Sequence, residues 1–263
     1  MTALPERFSL VGKCAVVTGA SRGLGVTLCE VLSQAGADIV AVARDESLLT
    51  ETQAIVTKNG RRCLPIAADL LDAAAADRVK ERIQSEVGSP TILVNNAGMT
   101  IPKLLVDQTV EEWDAILNLN LRAPWLMARA LAPGMMAAGG GKIINISSMT
   151  SSVALTEHGA YLASKAGLNG LTKVMTAEWG PIIFRPMPSA PRLSGLRWAN
   201  ASGARETSSS ALSKKSLPGA SRRPKRLSIW CFISLLLPPA WSMDRRSSSM
   251  VVTRLSKRRS RGF

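Results

Sequence analysis

The sequence predicts an α/β domain built on a doubly wound parallel sheet in three layers, and three observations carry that expectation. Short β-branched apolar runs recur at residues 13–18, 38–43, 63–67, 91–94 and 142–146. Stretches of helical period separate them with short connections, the arrangement of a parallel sheet covered on both faces. The first run opens into Gly19-Ala20-Ser21-Arg22-Gly23-Leu24-Gly25, which reads as strand, glycine turn and helix.

Taken in order, residues 13–18 (Lys-Cys-Ala-Val-Val-Thr) form the first strand. Val26, Leu28, Cys29, Val31 and Leu32 mark the helix that follows, up to Gly36. Glycines at the turn let backbone approach a pyrophosphate, whose charge a helix N-terminus favours. A second strand at 38–43 ends in Ala43-Arg44. An acidic residue at that strand end would face a ribose 2′-hydroxyl, but the first carboxylate is Asp45, one place further on. Arg44 and Arg22 instead offer guanidinium forks for a 2′-phosphate, so NADP is expected in preference to NAD, with NAD possible. A polar amphipathic helix spans 46–59. The third strand, at 63–67, is followed by Asp69-Leu70, and a further helix spans 72–87. The fourth strand, at 91–94, runs into Asn95-Asn96-Ala97-Gly98. Residues 111–136 have broadly helical spacing interrupted by Pro124, and Asn120 lies just before that proline. A buried amide there is costly unless it is bonded, so Asn118 or Asn120 is expected to be bonded or functional. The fifth strand delivers Ser147-Ser148 to the carboxyl edge of the sheet, where ligands bind in open α/β folds. A helix from Gly159 then places Tyr161 and Lys165 four residues apart on one face. An ammonium beside a phenol favours the phenolate form and suits acid/base work near neutral pH.

Charge divides the chain. Residues 1–181 carry a net of −1 and residues 182–263 a net of +15, within a total of +14. The four cysteines form no Cys-x-x-Cys pair and His158 is the only histidine, so a zinc site is not expected and a reducing cytoplasm is the simple reading. No signal-peptide segment follows the first residues. The apolar run at 229–237 is too short to span a bilayer, so no membrane partner is expected. His158 is taken as a loop residue.

On these residues the chain resembles the classical short-chain dehydrogenase/reductases of the Rossmann-like type, over about residues 8–181. Thr18-Gly-x-x-x-Gly-x-Gly25, Asp69, Asn95-Asn-Ala-Gly98, Asn120, Ser148 and Tyr161-x-x-x-Lys165 occur in family order and spacing. The resemblance implies that Tyr161 exchanges a proton with the substrate oxygen and Ser148 hydrogen-bonds that oxygen. It implies that Lys165 tunes Tyr161 and binds the nicotinamide ribose, and that Asn120 holds a water linking Lys165 to solvent. Asp69 and Leu70 would meet the adenine, while Thr18, Gly19, Ser21, Arg22, Gly23, Leu24, Gly25, Arg44, Asn96, Ala97 and Gly98 would line the cofactor. The implied reaction is hydride transfer between a nicotinamide and a small-molecule carbonyl or secondary alcohol. The opening Phe8-Ser-Leu-Val-Gly-Lys13 looks most like members acting on sugar acids and polyols, such as gluconate 5-dehydrogenases, with 3-oxoacyl-carrier-protein reductases nearly as close. Family members form homotetramers or dimers.

Beyond residue 181 the family would supply a sixth strand, a Pro-Gly motif, a substrate-covering loop and a seventh strand, none of which is legible here. The Ser/Arg/Pro-rich text has no sustained strand or helical period. One reading is a basic tail that binds nucleic acid or an anionic surface beside a non-catalytic nucleotide domain. A second is an unusual folded domain. The third is a shifted reading frame. One codon choice for residues 182–191, reread one base out of register, gives His-Asn-Ile-Gln-Ala-Asn-Ala-Ile-Cys-Pro. The same offset turns residues 249–254 into Asp-Gly-Gly-Tyr-Thr. The third reading is preferred, so no nucleic-acid partner is expected. The domain is taken as 1–181, with 182–263 an out-of-frame, disordered tail. The sheet is then expected to keep an open edge, and the chain as written to fold poorly and show little activity.

Overall fold

The computed structural model describes residues 9–179 and the backbone of residues 250–256. The boundary at 181, the apolar run at 229–237 and Cys231 lie outside the described residues. Five strands run parallel: β1 (Cys14–Thr18), β2 (Asp38–Ala43), β3 (Cys63–Ala67), β4 (Ile92–Asn95) and β5 (Gly140–Ile146). Between them come α1 (Leu24–Gln34), α2 (Glu46–Lys58), α3 (Ala75–Glu86), α4 (Val110–Leu117) and α5 (Ala123–Ala137), and α6 (Gly159–Trp179) follows β5. The order across the sheet is β3-β2-β1-β4-β5-β6, so the strand order reverses between β1 and β4, the switch point at which a crevice opens.

Alternation along the strands builds two cores. Val16, Val40, Leu93 and Ile143 form a row on one face, packed against Val79 and Ile83 of α3 and Met127, Leu131 and Met135 of α5. Ala15, Val17, Ile39, Ile92 and Ile144 face the other way, onto Leu28 and Leu32 of α1 and Leu49 and Val56 of α2. The central strands β1, β2 and β4 are buried on both sides almost throughout, which is why they read as continuous apolar runs, whereas β3 at the edge is only partly buried.

Two expectations are corrected. The helix over 111–136 is three pieces: α4, a π-helical turn over Asn118–Arg122, and α5, with Pro124 at its start. Proline lacks an N–H and fits a first turn, so the chain restarts its helix there rather than kinking through it. The outer edge of the sheet is also not open. The strand β6 (Met250–Ser256) pairs antiparallel with β5, in register from Gly140↔Ser256 to Ile146↔Met250. An unpaired edge offers a row of N–H and C=O groups, and Val251-Val252-Thr253 is a β-branched run too short for a longer window to register.

A buried polar relay fixes α6 to the sheet. Asn95 Nδ2 donates to Asn145 Oδ1 at 2.8 Å, and Asn145 Nδ2 donates to Thr172 Oγ1 at 2.8 Å. Both asparagines are buried, so loss of the middle member removes a buried bond from Asn95 on β4 and another from Thr172 on α6 and leaves a cavity between them. Asn145→Ala is expected to cost about 2–4 kcal/mol, read as a lower urea midpoint with an unchanged slope.

Candidate active site

The glycine turn closes between β1 and α1 because no side chain fits inside it. A Cβ on Gly25 would stand 2.0 Å from the Gly19 carbonyl oxygen. The N-terminus of α1 therefore backs directly onto the turn, with its first N–H groups unpaired by the helix. Thr18 holds this end of β1 to β4. Its Oγ1 accepts from Asn96 N and Ala97 N, both at 3.0 Å, and donates to Val94 O at 3.4 Å. The Asn96 side chain returns the tie, donating to Thr18 O at 2.9 Å and Gly19 O at 3.3 Å.

These elements surround a cavity of about 380 Å³. Gly19, Ser21, Arg22, Leu24 and Gly25 form its first wall. Arg44, Asp69, Leu70, Asn96, Ala97 and Gly98 form the rest, with Asp45 beside Arg44. Thr18 and Gly23 do not line it: Thr18 is buried beneath as the staple just described, and Gly23 caps α1 with a positive φ of 56°. Asp45 is occupied as the N-cap of α2, its Oδ1 accepting from Ser47 Oγ at 2.7 Å and Leu48 N at 3.2 Å. The Ser47 hydroxyl, then the Leu48 N–H, hold its carboxyl below the usual range. Arg22 and Arg44 make no ion pair among the described residues. The Asp69 carboxylate accepts from Leu71 N at 3.0 Å. A glycine-walled cavity at a helix N-terminus, with two unpaired guanidinium groups at its rim, fits a dinucleotide phosphate chain.

Gly98 joins this cradle to a second cluster. A Cβ there would sit 3.1 Å from Asn120 Oδ1 and 3.6 Å from Lys165 Nζ. Asn120 is fully buried in the π turn, which swings it towards the end of β4. Its Oδ1 accepts from Met99 N at 2.8 Å, and its Nδ2 donates to Met99 O at 2.8 Å and Ser164 Oγ at 3.1 Å. The side chain thus clamps the Asn-Asn-Ala-Gly loop, and both amide hydrogens are engaged.

Lys165 is 4% exposed, donates to Ile146 O at the end of β5 at 2.7 Å, and lies 5.8 Å from the centre of the Tyr161 ring. Burial pushes its ammonium down to about 8. Ser148, two residues beyond Ile146, caps the 3₁₀ turn Met149–Ser151. Its Oγ accepts from Thr150 N at 3.2 Å and Thr150 Oγ1 at 2.9 Å, which leaves its own proton to donate outward. One neighbour of Tyr161 escaped the sequence reading. The His158 ring meets Tyr161 edge-on, 6.2 Å between centres at 81°. Its Nδ1 lies 2.9 Å from Thr156 O, and since a carbonyl only accepts, Nδ1 carries the proton and Nε2 is left for an outside partner. Helical spacing from Tyr161 could have flagged it, because His158 sits one turn earlier. Among the described residues no group of His, Cys, Asp and Glu could hold a metal ion, and no helix is long and apolar enough to cross a membrane.

A dinucleotide cradle opening onto a buried lysine and a phenol, at the carboxyl edge of a doubly wound sheet, defines a Rossmann-like oxidoreductase domain. The chain belongs to the short chain dehydrogenase family, which residues 13–184 match. It is 42% identical over 173 residues to 2-dehydro-3-deoxy-D-gluconate 5-dehydrogenase of Escherichia coli (strain K12), covering 65% of this chain and 68% of that one. It is 36% identical over 170 residues to a 3-oxoacyl-[acyl-carrier-protein] reductase of Vibrio harveyi, covering 65% and 68%. A solved metagenomic short-chain oxidoreductase in complex with NADP superposes with a TM-score of 0.62 at 39% identity, over 64% of this chain and 77% of its own. The chain spans about two thirds of the length of the curated relatives it matches.

The Lys165 shift makes stability depend on pH. Its folded pKa, about 8, lies below the ordinary 10.5, so between those values the folded chain binds fewer protons than the unfolded one. Stability therefore rises with pH across that window, and the penalty of the buried charge is full below it. Relative to Lys165→Met, the parent chain is expected to gain about 3 kcal/mol between pH 7 and 10.5. Paired urea titrations check this; a constant difference between the two proteins would mean a solvated ammonium.

Proposed function

We propose that this domain is an NADP-preferring oxidoreductase that exchanges a hydride between a nicotinamide and a carbonyl or secondary alcohol. The observation that carries the reading is the position of Lys165, between Gly98 of the cradle, Ile146 at the end of β5 and the ring of Tyr161. In this reading the cofactor, when bound, supplies or accepts the hydride. The Tyr161 hydroxyl exchanges the proton with the substrate oxygen, and Ser148 Oγ donates to the same oxygen while Thr150 fixes its lone pairs. Lys165, itself buried, supplies positive charge beside the phenol, where low local polarity lets that charge act strongly. Asn120, its side-chain amide engaged by Met99 and Ser164, would hold a water that links Lys165 to solvent. Arg22 and Arg44 would bind a 2′-phosphate, a reading supported by the engagement of Asp45 as a helix cap.

Sugar acids, polyols and 3-oxoacyl thioesters are the substrate classes that the relatives' names suggest. Residues 182–263 are read as out-of-frame text, in keeping with a family match that ends at residue 184. Sequencing the gene across the codons for residues 179–185 tests this. A confirmed frame would overturn it, whereas restoring a shifted frame is expected to raise NADPH-dependent ketone reduction at least about a hundredfold.

In the frame-restored protein Tyr161→Phe is expected to lower kcat by about 10²–10⁴ while leaving NADPH affinity within about twofold. Unchanged turnover would remove Tyr161 from the reaction. Arg22→Ala with Arg44→Ala is expected to weaken NADPH binding by about 10–100-fold and NADH binding far less. Fluorescence titration of both cofactors checks this, and equal losses would overturn the preference.

A further inference from the structure

Six of the ten large apolar side chains exposed among the described residues lie in two loops, residues 104–106 and 149–155. They are Leu104, Leu105, Val106, Met149, Val153 and Leu155, with Leu105 at 65%, Met149 at 67% and Leu155 at 54% exposure. The loops meet at the N-terminus of α6. Lys103 N donates to Glu157 O at 2.9 Å, Lys103 and His158 form a β-bridge, and the Leu105 side chain occupies the space where a Cβ on Gly159 would stand. Met149 directly follows Ser148, and Gly159, against which Leu105 packs, stands two residues before Tyr161, so the apolar loops flank the reacting groups. Glu157, at the junction, holds a φ of 65°, a left-handed conformation costly for a side chain with a Cβ and fixed here by the Lys103 bond.

The charges of the rim point the same way. Over residues 99–109 and 149–158 the ionised side chains are Lys103, Asp107 and Glu157. Lys103 is bound to both carboxylate oxygens of Glu112, at 2.9 and 3.1 Å. Asp107 and Glu157 are exposed, so the rim presents negative charge to an incoming anion. The hydroxyls nearest Ser148 are turned inward, Thr150 Oγ1 to Ser148 Oγ and Ser151 Oγ to Ser148 O at 2.7 Å. Among the described residues of the rim no side-chain cation is placed to pair with a sugar-acid carboxylate except Lys165, which is already held by Ile146 O in the floor of the site.

We infer that the substrate is a neutral carbonyl compound, or its alcohol, carrying an apolar chain or ring that lies along this rim, rather than a sugar acid. The inference rests on the oxidoreductase reading of the Ser148, Tyr161 and Lys165 site, and it selects the substrate class for that site. A large exposed apolar surface beside a polar reaction centre marks a binding face for matching apolar surface.

Saturation-transfer NMR on the full chain, with butan-2-one, hexan-2-one, octan-2-one and 5-keto-D-gluconate as probes, reads binding without requiring turnover. Affinity is expected to rise about threefold per added methylene along the ketone series, and to exceed that for the keto acid. Leu155→Glu, an exposed loop change outside the reacting groups, is expected to weaken octan-2-one at least about fivefold and leave butan-2-one unchanged. A flat ketone series, tighter binding of 5-keto-D-gluconate, or an octan-2-one affinity indifferent to Leu155→Glu would each overturn the inference. NADPH fluorescence on the same sample reads the cradle separately. Dinucleotide binding with a flat series sinks only the substrate class, whereas chain-length-dependent ketone binding without dinucleotide binding sinks the oxidoreductase reading and keeps the apolar site.

Discussion

A buried ammonium is the constraint on which this architecture turns. Lys165 costs stability where it stands, because taking its charge out of water is repaid only in part by the bond to Ile146 O. A fold keeps such a group only if its surroundings hold it in one place, and three elements do so here. The β5 strand supplies the acceptor, the loop after β4 brings Gly98 within van der Waals reach of Nζ, and α6 carries Lys165 on the same face as Tyr161. The Asn95, Asn145 and Thr172 relay ties those three elements together through buried amides. Each polar link is expensive to leave unpaired, so the relay specifies one register of α6 on the sheet rather than a family of near-equivalent packings.

The same economy governs the π turn. A regular helix through residues 110–137 would carry Asn120 along its cylinder with no reason to face the Asn-Asn-Ala-Gly loop. Widening the turn over Asn118–Arg122 instead directs its amide onto both backbone groups of Met99 and onto Ser164. One distortion, placed where Pro124 restarts the helix, therefore locks the end of β4 to α6. The cradle and the reacting groups share that lock, so a change at Asn120 acts on both.

The parts of this structure that were legible in the sequence are those set by local rules. The bounds of β2 and β3 follow from apolar runs ending at charged or glycine positions, and the helix starting at Gly159 from its spacing. The glycine turn lies at the cavity between β1 and α1, and Tyr161 and Lys165 share one helix face, as their spacing implies. What stayed hidden depends on contacts distant in the chain. Thr18 reads as a cavity residue but is the staple under it, because the N–H groups it accepts belong to residues 96 and 97. The split of α4 from α5 could be suspected from Pro124, but its π geometry reflects what Asn120 reaches. The edge pairing of β6 was missed for another reason: hydrogen-bonding demand at an open strand recruits an extended segment by backbone alone, with little regard for the side chains it carries.

That last point separates two kinds of completeness. The cradle, the lysine and the phenol all lie within residues 14–172, as do the links described above that position them. Closing a sheet edge is a weaker requirement, which a short β-branched run can satisfy. Filling a reaction centre is stricter, because its occupant must match the surface it meets, and that surface is the apolar rim of Leu104, Leu105, Met149, Val153 and Leu155. The sheet edge and the proposed site therefore rest on different stretches of sequence, residues 250–256 for the one and residues 14–172 for the other.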